Sequence, residues 1–268
     1  MDETENPTGL DAFRPTEMAR RVQATGVAKA RLEFVPLAVL GVLAGAFIGF
    51  GALFFLVVTT GAGDAFGPIQ LLGGAAFSLG LILVIVGGAE LFTGNALIVM
   101  AWASSLVGTV ELLRNWTVVY LANLAGALGL AAAVVAAGTL HLADGEVGRN
   151  AAQIAEVKLA LAPIATFARA VLCNALVCLA VWLTFAAPDA GGKILAILWP
   201  TSAFVAIGFE HSVANMFLLP LGLAAGASAD VGEVVVNLAI VTVGNVIGGA
   251  GGVAATYWAC YLRAREPQ

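Results

Sequence analysis

The stretch Gly88-Ala89-Glu90-Leu91-Phe92-Thr93-Gly94-Asn95 interrupts a long apolar run and returns in outline 120 residues later. The second copy reads Gly208-Phe209-Glu210-His211-Ser212-Val213-Ala214-Asn215, so both copies have the form G-x-E-x-x-x-x-N. A carboxylate and a carboxamide are unfavourable in hydrocarbon, and a chain that places them there twice in one pattern is expected to use them. This pair of interruptions decides how the chain folds.

The composition around the motif is that of a membrane protein. Of the 268 residues, 60% are hydrophobic and 11% are charged. A soluble domain of this size keeps a larger polar exterior, and several apolar runs exceed the roughly 20 residues that cross a bilayer. These features predict an all-α polytopic membrane protein with six transmembrane segments, at about 34–60, 68–104, 115–139, 159–187, 194–224 and 231–261.

The second and fifth segments contain the motif, and each is predicted to be a helix broken at the bilayer midplane. Such breaks persist only where the freed backbone groups face protein or water. Asn123-Leu124-Ala125-Gly126-Ala127 in the third segment also returns in outline, as Asn245-Val246-Ile247-Gly248-Gly249 in the sixth. Short matches arise by chance in glycine-rich and alanine-rich sequence, but two in the same order at nearly the same offset favour a repeat. Because each half has three segments, the halves run in opposite directions, and this inverted 3+3 repeat places the substrate path between the two breaks.

The chain is predicted to divide into one channel domain and two tails. Residues 1–30 are expected to form a cytoplasmic tail that ends in a surface helix, 31–263 the transmembrane domain, and 264–268 a second cytoplasmic tail. The repeat halves are placed at about 31–140 and 158–263. The protein is predicted to lie in an inner or plasma membrane. The distribution of basic residues predicts that both termini are cytoplasmic, because the outer side then carries only Arg149 and Lys158, whereas the cytoplasmic side carries nine basic residues. Those nine are Arg14, Arg20, Arg21, Lys29, Arg31, Arg114, Lys193, Arg263 and Arg265.

The repeated polar residues are predicted to hold the two breaks together. Glu90 and Glu210 are expected to accept hydrogen bonds from backbone N–H groups that the breaks set free. Asn95 and Asn215 are expected to cap the helices that restart after each break. Two helix N-termini directed at the midplane favour negative charge there, which predicts an anion as the substrate.

His211 is the one histidine within a membrane segment, and it is predicted to line the pore. The alternative, a core histidine bonded to backbone, is the rule in soluble proteins, but this histidine lies inside a helix break. Imidazole can give a proton or a hydrogen bond to a passing anion, and Thr93 and Ser212 add hydroxyls at the same depth. Lys158 either extends to the membrane interface or draws anions towards the pore. Arg169 lies deeper and is expected to pair with a carboxylate or with carbonyl groups.

Other classes of activity find no support in the residue pattern. The sequence has no phosphate-binding glycine loop, no metal-ligand cluster and no nucleophile with a base at a suitable spacing, so neither an enzyme nor a cofactor is predicted. No basic patch indicates a nucleic acid. Cys173, Cys178 and Cys260 are interpreted as small apolar residues. The expected partners are the substrate anion and membrane lipid.

Four stretches together resemble the signatures of the formate/nitrite transporter family. They are the loop Glu90–Asn95, the fifth-segment motif Gly208–Met216, the fourth-segment motif Cys173–Trp182 and the glycine-rich Gly244–Gly249. The resemblance covers about residues 25 to 263. It implies an aquaporin-like fold assembled as a homopentamer, with one pore in each protomer.

The resemblance also implies roles for individual residues. His211 would be the central pore histidine with Thr93 facing it, and Lys158 and Asn174 would flank the path. Two apolar constrictions would be formed, one by Phe77, Leu81 and Phe204, the other by Leu91, Phe92 and Val177.

The sequence therefore predicts a channel for formate or nitrite, with proton coupling at the central histidine as a hypothesis. The same pore would suit hydrosulfide or another small weak acid, such as lactate or acetate. A water or glycerol channel shares the architecture, but its paired Asn-Pro-Ala loops are missing, because Ala96 follows Asn95 and Met216 follows Asn215.

Overall fold

The computed structural model describes residues 12–61, 63 and 65–263. Within these residues every regular element is helical and no strand occurs. The predicted tail residues 1–11 and 264–268 lie outside the described residues. The α-helices are α1 (Pro15–Ala30), α2 (Phe34–Thr59), α3 (Phe66–Gly87), α4 (Val99–Ala103), α5 (Thr109–Ala136), α6 (Glu146–Leu159), α7 (Pro163–Thr184), α8 (Ala190–Ala206), α9 (Ser212–Ala224), α10 (Val231–Val246) and α11 (Thr256–Tyr261).

Three shorter or unusual helical pieces complete the described chain. A 3₁₀-helix, Gly94–Ile98, leads into α4, and another spans Thr139–His141. The segment Ile247–Ala255 is π-helical and joins α10 to α11 into one continuous rod. That rod, together with α2, α3, α5 and α7, gives five helices long and apolar enough to cross a membrane.

The fifth predicted segment is divided between two shorter helices. α8 has 17 residues and α9 has 13, so neither reaches the roughly 20 residues of a single span. In the second predicted segment α3 alone has 22 residues, and the chain leaves helical geometry before the short piece Gly94–Ala103. The interruptions fall at 88–93 and 207–211, so they coincide with the two copies of the motif to within one residue.

Local sequence explains where several of these helices begin. Asp230 caps α10: its carboxylate accepts a hydrogen bond from the backbone N–H of Glu233 at 3.0 Å, and the Glu233 carboxylate accepts one from Asp230 N–H at 2.9 Å. Asp189 caps α8 by accepting from Gly192 N–H at 2.9 Å. Pro163 starts α7, where its missing N–H is not needed.

The two halves of the chain pack in the same way. α2 contacts both α3 and α5, and α7 correspondingly contacts both α8 and α10, while α3 and α8 pack against each other. Glycines permit the closest contacts. A Cβ atom on Gly126 would overlap the carbonyl oxygen of Val42, and one on Gly248 would overlap that of Val171.

Equivalent residues from the two halves meet where the halves join. The hydroxyl groups of Tyr120 and Thr242 lie 3.1 Å apart, and these positions differ by the same 122 residues that separate Asn123 from Asn245. A contact between repeat-equivalent residues is expected on a twofold axis that relates inverted halves.

α1 is more closely packed than the predicted surface helix. Met18, Ala19 and Val22 are buried, and the helix contacts the first 3₁₀-helix and α4. In the second half, α6 contacts α9, which is the equivalent of that 3₁₀ piece. Because each half therefore includes a short helix before its first long one, the matching contacts begin earlier than the predicted halves do.

Candidate functional site

Each break begins with a glycine whose backbone few other residues adopt. Gly88 has φ 82° and Gly208 has φ 76°, both in the left-handed region. Glycine has no Cβ and enters this region without the steric penalty that other residues meet. The glycine of each motif therefore ends a helix and turns the chain out of it.

Two asparagines bind the backbone of the breaks. The Asn123 amide donates to the carbonyl of Glu90 at 2.9 Å and to that of Gly41 at 2.7 Å, and its Oδ1 accepts from Phe92 N–H at 2.9 Å. Asn245 repeats all three contacts in the second half. It donates to the carbonyls of Glu210 at 2.9 Å and Ala170 at 2.7 Å, and it accepts from Ser212 N–H at 2.9 Å.

The prediction that Glu90 and Glu210 bind freed backbone N–H groups is therefore wrong. Their carboxylates bind side chains instead, and Asn123 and Asn245 take the backbone role. The reason is hydrogen-bonding capacity, because an asparagine amide can donate and accept at the same time, whereas an ionised carboxylate only accepts. One amide thus satisfies a carbonyl and an N–H group of the same break.

In each half a lysine, a glutamate and two asparagines form one polar network around the buried carboxylate of the glutamate. Lys29 Nζ lies 2.6 Å from Glu90 Oε1, Asn95 Nδ2 donates to Glu90 Oε2 at 2.8 Å, and Asn95 Nδ2 also donates to Asn115 Oδ1 at 2.9 Å. The Glu90 side chain is 9% exposed. Each partner of the ion pair has a further hydrogen bond, since Lys29 Nζ also donates to Asn95 Oδ1 at 3.2 Å.

The second network repeats the first with the residues of the other half. Lys158 Nζ lies 2.9 Å from Glu210 Oε1, and Asn215 Nδ2 donates to Glu210 Oε2 at 2.7 Å and to Asn237 Oδ1 at 2.9 Å. The Glu210 side chain is 2% exposed, so this pair is the more deeply buried of the two.

Lys29, Asn115 and Asn237 were not singled out by the sequence as site residues. A signal was present, since Lys29 stands five residues before α2 and Lys158 five residues before α7. In the sequence Lys29 contributes only to the prediction of membrane orientation, because it lies 61 positions from Glu90 along the chain and their contact cannot be inferred from spacing.

The prediction that Asn95 and Asn215 cap the restarting helices is also wrong. Thr93 precedes the first 3₁₀-helix without a side-chain cap. His211 caps α9, because its Nδ1 accepts a hydrogen bond from Ala214 N–H at 3.1 Å. The two asparagines are directed towards the glutamates instead.

The centre of the site is the contact between Thr93 and His211, one residue from each break. Thr93 Oγ1 lies 2.9 Å from His211 Nε2, and both residues are buried. Since Nδ1 accepts from a backbone N–H, a neutral imidazole must hold its proton on Nε2. Nε2 then donates to the threonine oxygen, and the hydroxyl hydrogen of Thr93 is left to donate elsewhere.

The repeat is not symmetric at this centre. The position equivalent to His211 is Leu91, and the position equivalent to Thr93 is Val213. The networks that hold the breaks are therefore duplicated, while the polar pair between them occurs once.

Asn174 braces the threonine from α7. Its amide donates to the carbonyl of Thr93 at 3.2 Å and to that of Asn245 at 2.7 Å. Cys178, one turn further on, directs its thiol to the same Thr93 carbonyl at 3.5 Å. Asn174 thus fixes the backbone of one break against the other half of the chain.

The two aromatic residues of the first predicted constriction contact each other, and one of them contacts the histidine. Phe77 and Phe204 meet edge to face with ring centroids 5.7 Å apart, and Phe204 stacks on His211 at 5.9 Å. Leu81 is buried in the same apolar core.

The second predicted constriction is less uniform. Leu91 lines a cavity, Val177 is buried beside it in the core, and Phe92 packs edge-on against Tyr120 at 5.0 Å and Trp116 at 6.3 Å. The ring of Phe92 is therefore held against α5.

Two cavities are lined by residues of this centre or by their neighbours in the chain. The Lys158 cavity, of about 310 Å³, is lined by Lys158, Arg169, Glu210, His211, Phe77 and Phe204 among others. The Lys29 cavity, of about 340 Å³, is lined by Lys29, Glu90, Leu91, Gly94, Asn95 and Lys193 among others. His211 lines the first cavity and Gly94 lines the second, so the contact between His211 and Thr93 joins a lining residue of one cavity to the chain neighbour of a lining residue of the other.

Arg169 lies beside the second break, and the expectation that it pairs with carbonyls is confirmed. Its Nη1 donates to the carbonyl of Gly208 at 3.2 Å. Its own backbone carbonyl accepts from Glu210 N–H at 3.4 Å. No cluster of three or more histidine, cysteine, aspartate or glutamate side chains suited to a metal ion is found in the described part of the chain.

Fold and site together define an all-helical multi-span membrane protein with two breaks that face each other across one buried polar pair. Comparison with known proteins identifies the group. A family model described as formate/nitrite transporter matches residues 16–259, and the chain belongs to this family. The resemblance predicted from the sequence is confirmed.

Relatives and solved structures cover nearly the whole chain. The formate channel FocA of Escherichia coli K12 is 37% identical over 98% of both chains. The probable formate transporter of Methanothermobacter thermautotrophicus is 41% identical over 93% of this chain and 97% of its own.

A solved pentameric formate channel with formate bound superposes with a TM-score of 0.80 at 40% identity, over 86% of this chain and 98% of that one. A solved ion channel of the same family superposes with a TM-score of 0.84 at 29% identity, over 91% of this chain and 99% of that one.

Proposed function

We propose that this chain carries small monovalent anions, formate or nitrite, across a membrane through a pore in each protomer. The carrying observation is the pair of cavities, each lined by a lysine–glutamate pair with a buried carboxylate, one lined by His211 and the other by Gly94, next to Thr93, which contacts that histidine. Family membership supports the same function, since the matched relatives include formate channels.

The route proposed runs from one cavity to the other past the central pair. Lys158 and Lys29, each paired with a glutamate, offer their remaining ammonium N–H donors to an anion on either side. The apolar residues Phe77, Leu81, Phe204, Leu91, Phe92 and Val177 form narrow dry passages near the centre. An anion that enters such a passage loses hydration, which costs free energy for a charge. The Thr93 hydroxyl, whose oxygen accepts from His211 Nε2–H and whose hydrogen is left to donate, supplies a hydrogen-bond donor where the hydration is lost.

Transport in proteoliposomes tests the proposal directly. We expect purified protein to release entrapped formate and nitrite down their gradients, well above the leak of protein-free vesicles. Hydrosulfide, lactate and acetate are measured in the same vesicles, because each would use the same pore. Flux of none of these anions above the leak would contradict the proposed function.

Proton coupling at His211 is a separate part of the proposal. If the anion crosses with a proton gained near the imidazole, uptake rises as the pH on the entry side falls. His211 Nδ1 accepts a hydrogen bond from Ala214 N–H, so the proton is exchanged at Nε2.

The substitution His211→Asn separates the cap from the titratable group, because asparagine is also a good helix cap. His211→Ala removes both. We expect a flat pH profile in both variants and a lower melting temperature only in His211→Ala. A pH profile like that of the wild type in His211→Asn would exclude the proton role.

Assembly, orientation and domain division are proposed along with the pore. The chain is proposed to form a homopentamer, as the solved formate channel does, with both termini in the cytoplasm. Residues 31–263 would form the channel domain, between the tails 1–30 and 264–268, and no enzyme activity or cofactor is assigned. Native mass spectrometry of the detergent-solubilised protein tests the pentamer.

A further inference from the structure

The charges that line the Lys158 cavity do not cancel. Lys158 is paired with Glu210 at 2.9 Å, and together they contribute no net charge. Arg169 lines the same cavity and forms no salt bridge to any described residue. Among the described lining residues, the cavity therefore carries one net positive charge, and the guanidinium of Arg169 is its source.

Most of this guanidinium is left available. Its hydrogen bond to Gly208 uses one of five N–H donors. The planar fork of a guanidinium matches two oxygens of one anion. A lysine ammonium offers a point charge without this preference for shape.

The break does not require the arginine side chain. The repeat-equivalent position in the first half is Leu40, whose carbonyl accepts from Glu90 N–H at 3.2 Å, as the Arg169 carbonyl accepts from Glu210 N–H at 3.4 Å. An apolar side chain thus suffices for the backbone contact. The guanidinium is an addition to one half of the repeat, in the half whose break also carries His211.

We propose that Arg169 is a binding residue of the Lys158 cavity, selective for planar monoanions with two oxygens, such as carboxylates and nitrite. This inference rests on the proposed function and narrows its substrate class. Arg169 holds both oxygens of the anion before it reaches His211. Hydrosulfide has a single acceptor atom and gains nothing from the fork.

The Lys29 cavity provides a matched control. Lys193 lines it beside the Lys29–Glu90 pair and likewise forms no salt bridge among the described residues, so it also adds one positive charge. Because Lys193 carries an ammonium group, which has no preference for shape, Lys193→Gln is expected to lower the fluxes of formate and hydrosulfide alike. The variant to be compared with it is Arg169→Lys, which keeps the positive charge and removes the planar fork of the guanidinium.

The test is the ratio of formate to hydrosulfide flux in proteoliposomes, with nitrite as a second planar anion. In Arg169→Lys we expect this ratio to fall about tenfold, the effect of losing one hydrogen bond to a charged group. In Lys193→Gln the ratio should stay at the wild-type value. An unchanged flux ratio in Arg169→Lys, or an equal loss of flux for all the anions tested, would overturn the inference.

A measurement on the wild-type protein covers the case in which the variants do not fold. Phenylglyoxal modifies guanidinium groups, and peptide mass spectrometry reports the modification of Arg169. We expect formate and nitrite to slow this modification, and chloride at equal ionic strength to leave it unchanged. Equal protection by chloride would contradict selective binding, whereas absent anion flux in the wild type would contradict the proposed function itself.

Discussion

Asn123 and Asn245 show how single side chains can replace the hydrogen bonds that a broken helix loses. Each makes three buried bonds to backbone, on two different elements. A buried carbonyl or N–H group left without a partner costs about 1–3 kcal/mol. These two residues therefore fix the shape of the breaks, and the glutamates are free to bind the lysines.

Replacing either asparagine is expected to destabilise the protein strongly. Asn245→Leu leaves Ser212 N–H and the Glu210 carbonyl without their partner, so we expect a loss of at least about 2 kcal/mol. The melting temperature in detergent measures it, and Asn123→Leu should show a similar fall. Melting of both variants at the wild-type temperature would contradict the backbone role.

The two ion pairs make a second prediction for single residues. Lys158→Met leaves the Glu210 carboxylate buried without its cation, which is expected to cost about 3–5 kcal/mol. Lys29→Met should cost less, because Glu90 is 9% exposed and Glu210 only 2%. Thermal unfolding gives both values.

The double variant Lys158→Met/Glu210→Gln serves as the control. It removes both charges at once, so most of the lost stability should return. Additive losses in the double variant would show that the two residues do not act as a pair.

At the scale of the helices, the breaks follow from the sequence but their internal contacts do not. A glycine, a glutamate and an asparagine inside an apolar run are enough to predict an interruption, because hydrocarbon excludes such groups. The partner of each group depends on which helix lies beside it. Lys29 reaches Glu90 across 61 positions of the chain, and no pattern in either segment encodes that contact.

The capping residue of α9 was missed for a related reason. Histidine is not among the usual N-cap residues, whereas asparagine is, so Asn215 seemed the better candidate. The structure moves the start of the helix four residues earlier, to Ser212, and places His211 in the capping position. The pore and constriction roles of the site residues stay predictions, which transport measurements test.

Helix packing gives a prediction with a control on the same helix. Gly126→Ala would place a Cβ atom against the backbone of α2, where the nearest atoms cannot move aside, and we expect a loss of about 1–3 kcal/mol. Gly129 lies three residues further along α5, and a Cβ atom added there would have no heavy atom within 4 Å in the protomer.

Gly129→Ala should therefore be neutral or gain up to about 1 kcal/mol from helix propensity. Melting temperatures and pentamer yields in detergent compare the two variants. Equal stability of Gly126→Ala and Gly129→Ala would mean that close α2–α5 contact does not matter.

For the whole molecule, the proposed orientation is open to a labelling test. Single cysteines are introduced as His141→Cys and Arg263→Cys, both exposed, in a Cys260→Ser background. Cys173 and Cys178 stay silent because they are buried. We expect a membrane-impermeant maleimide to label His141→Cys on intact cells and Arg263→Cys only after permeabilisation, and the reverse pattern would place the termini outside.

The duplicated networks also bear on the direction of flow. Since the two halves are inverted copies, an ion that approaches from either face meets a lysine–glutamate pair of the same charge, held by the same asparagines. The duplicated scaffold by itself gives no preferred direction, so a difference between inward and outward flux would have to come from the residues that occur in one half only, Thr93, His211 and Arg169. Without such a difference, net flow would follow the gradient of the permeating species, inward or outward.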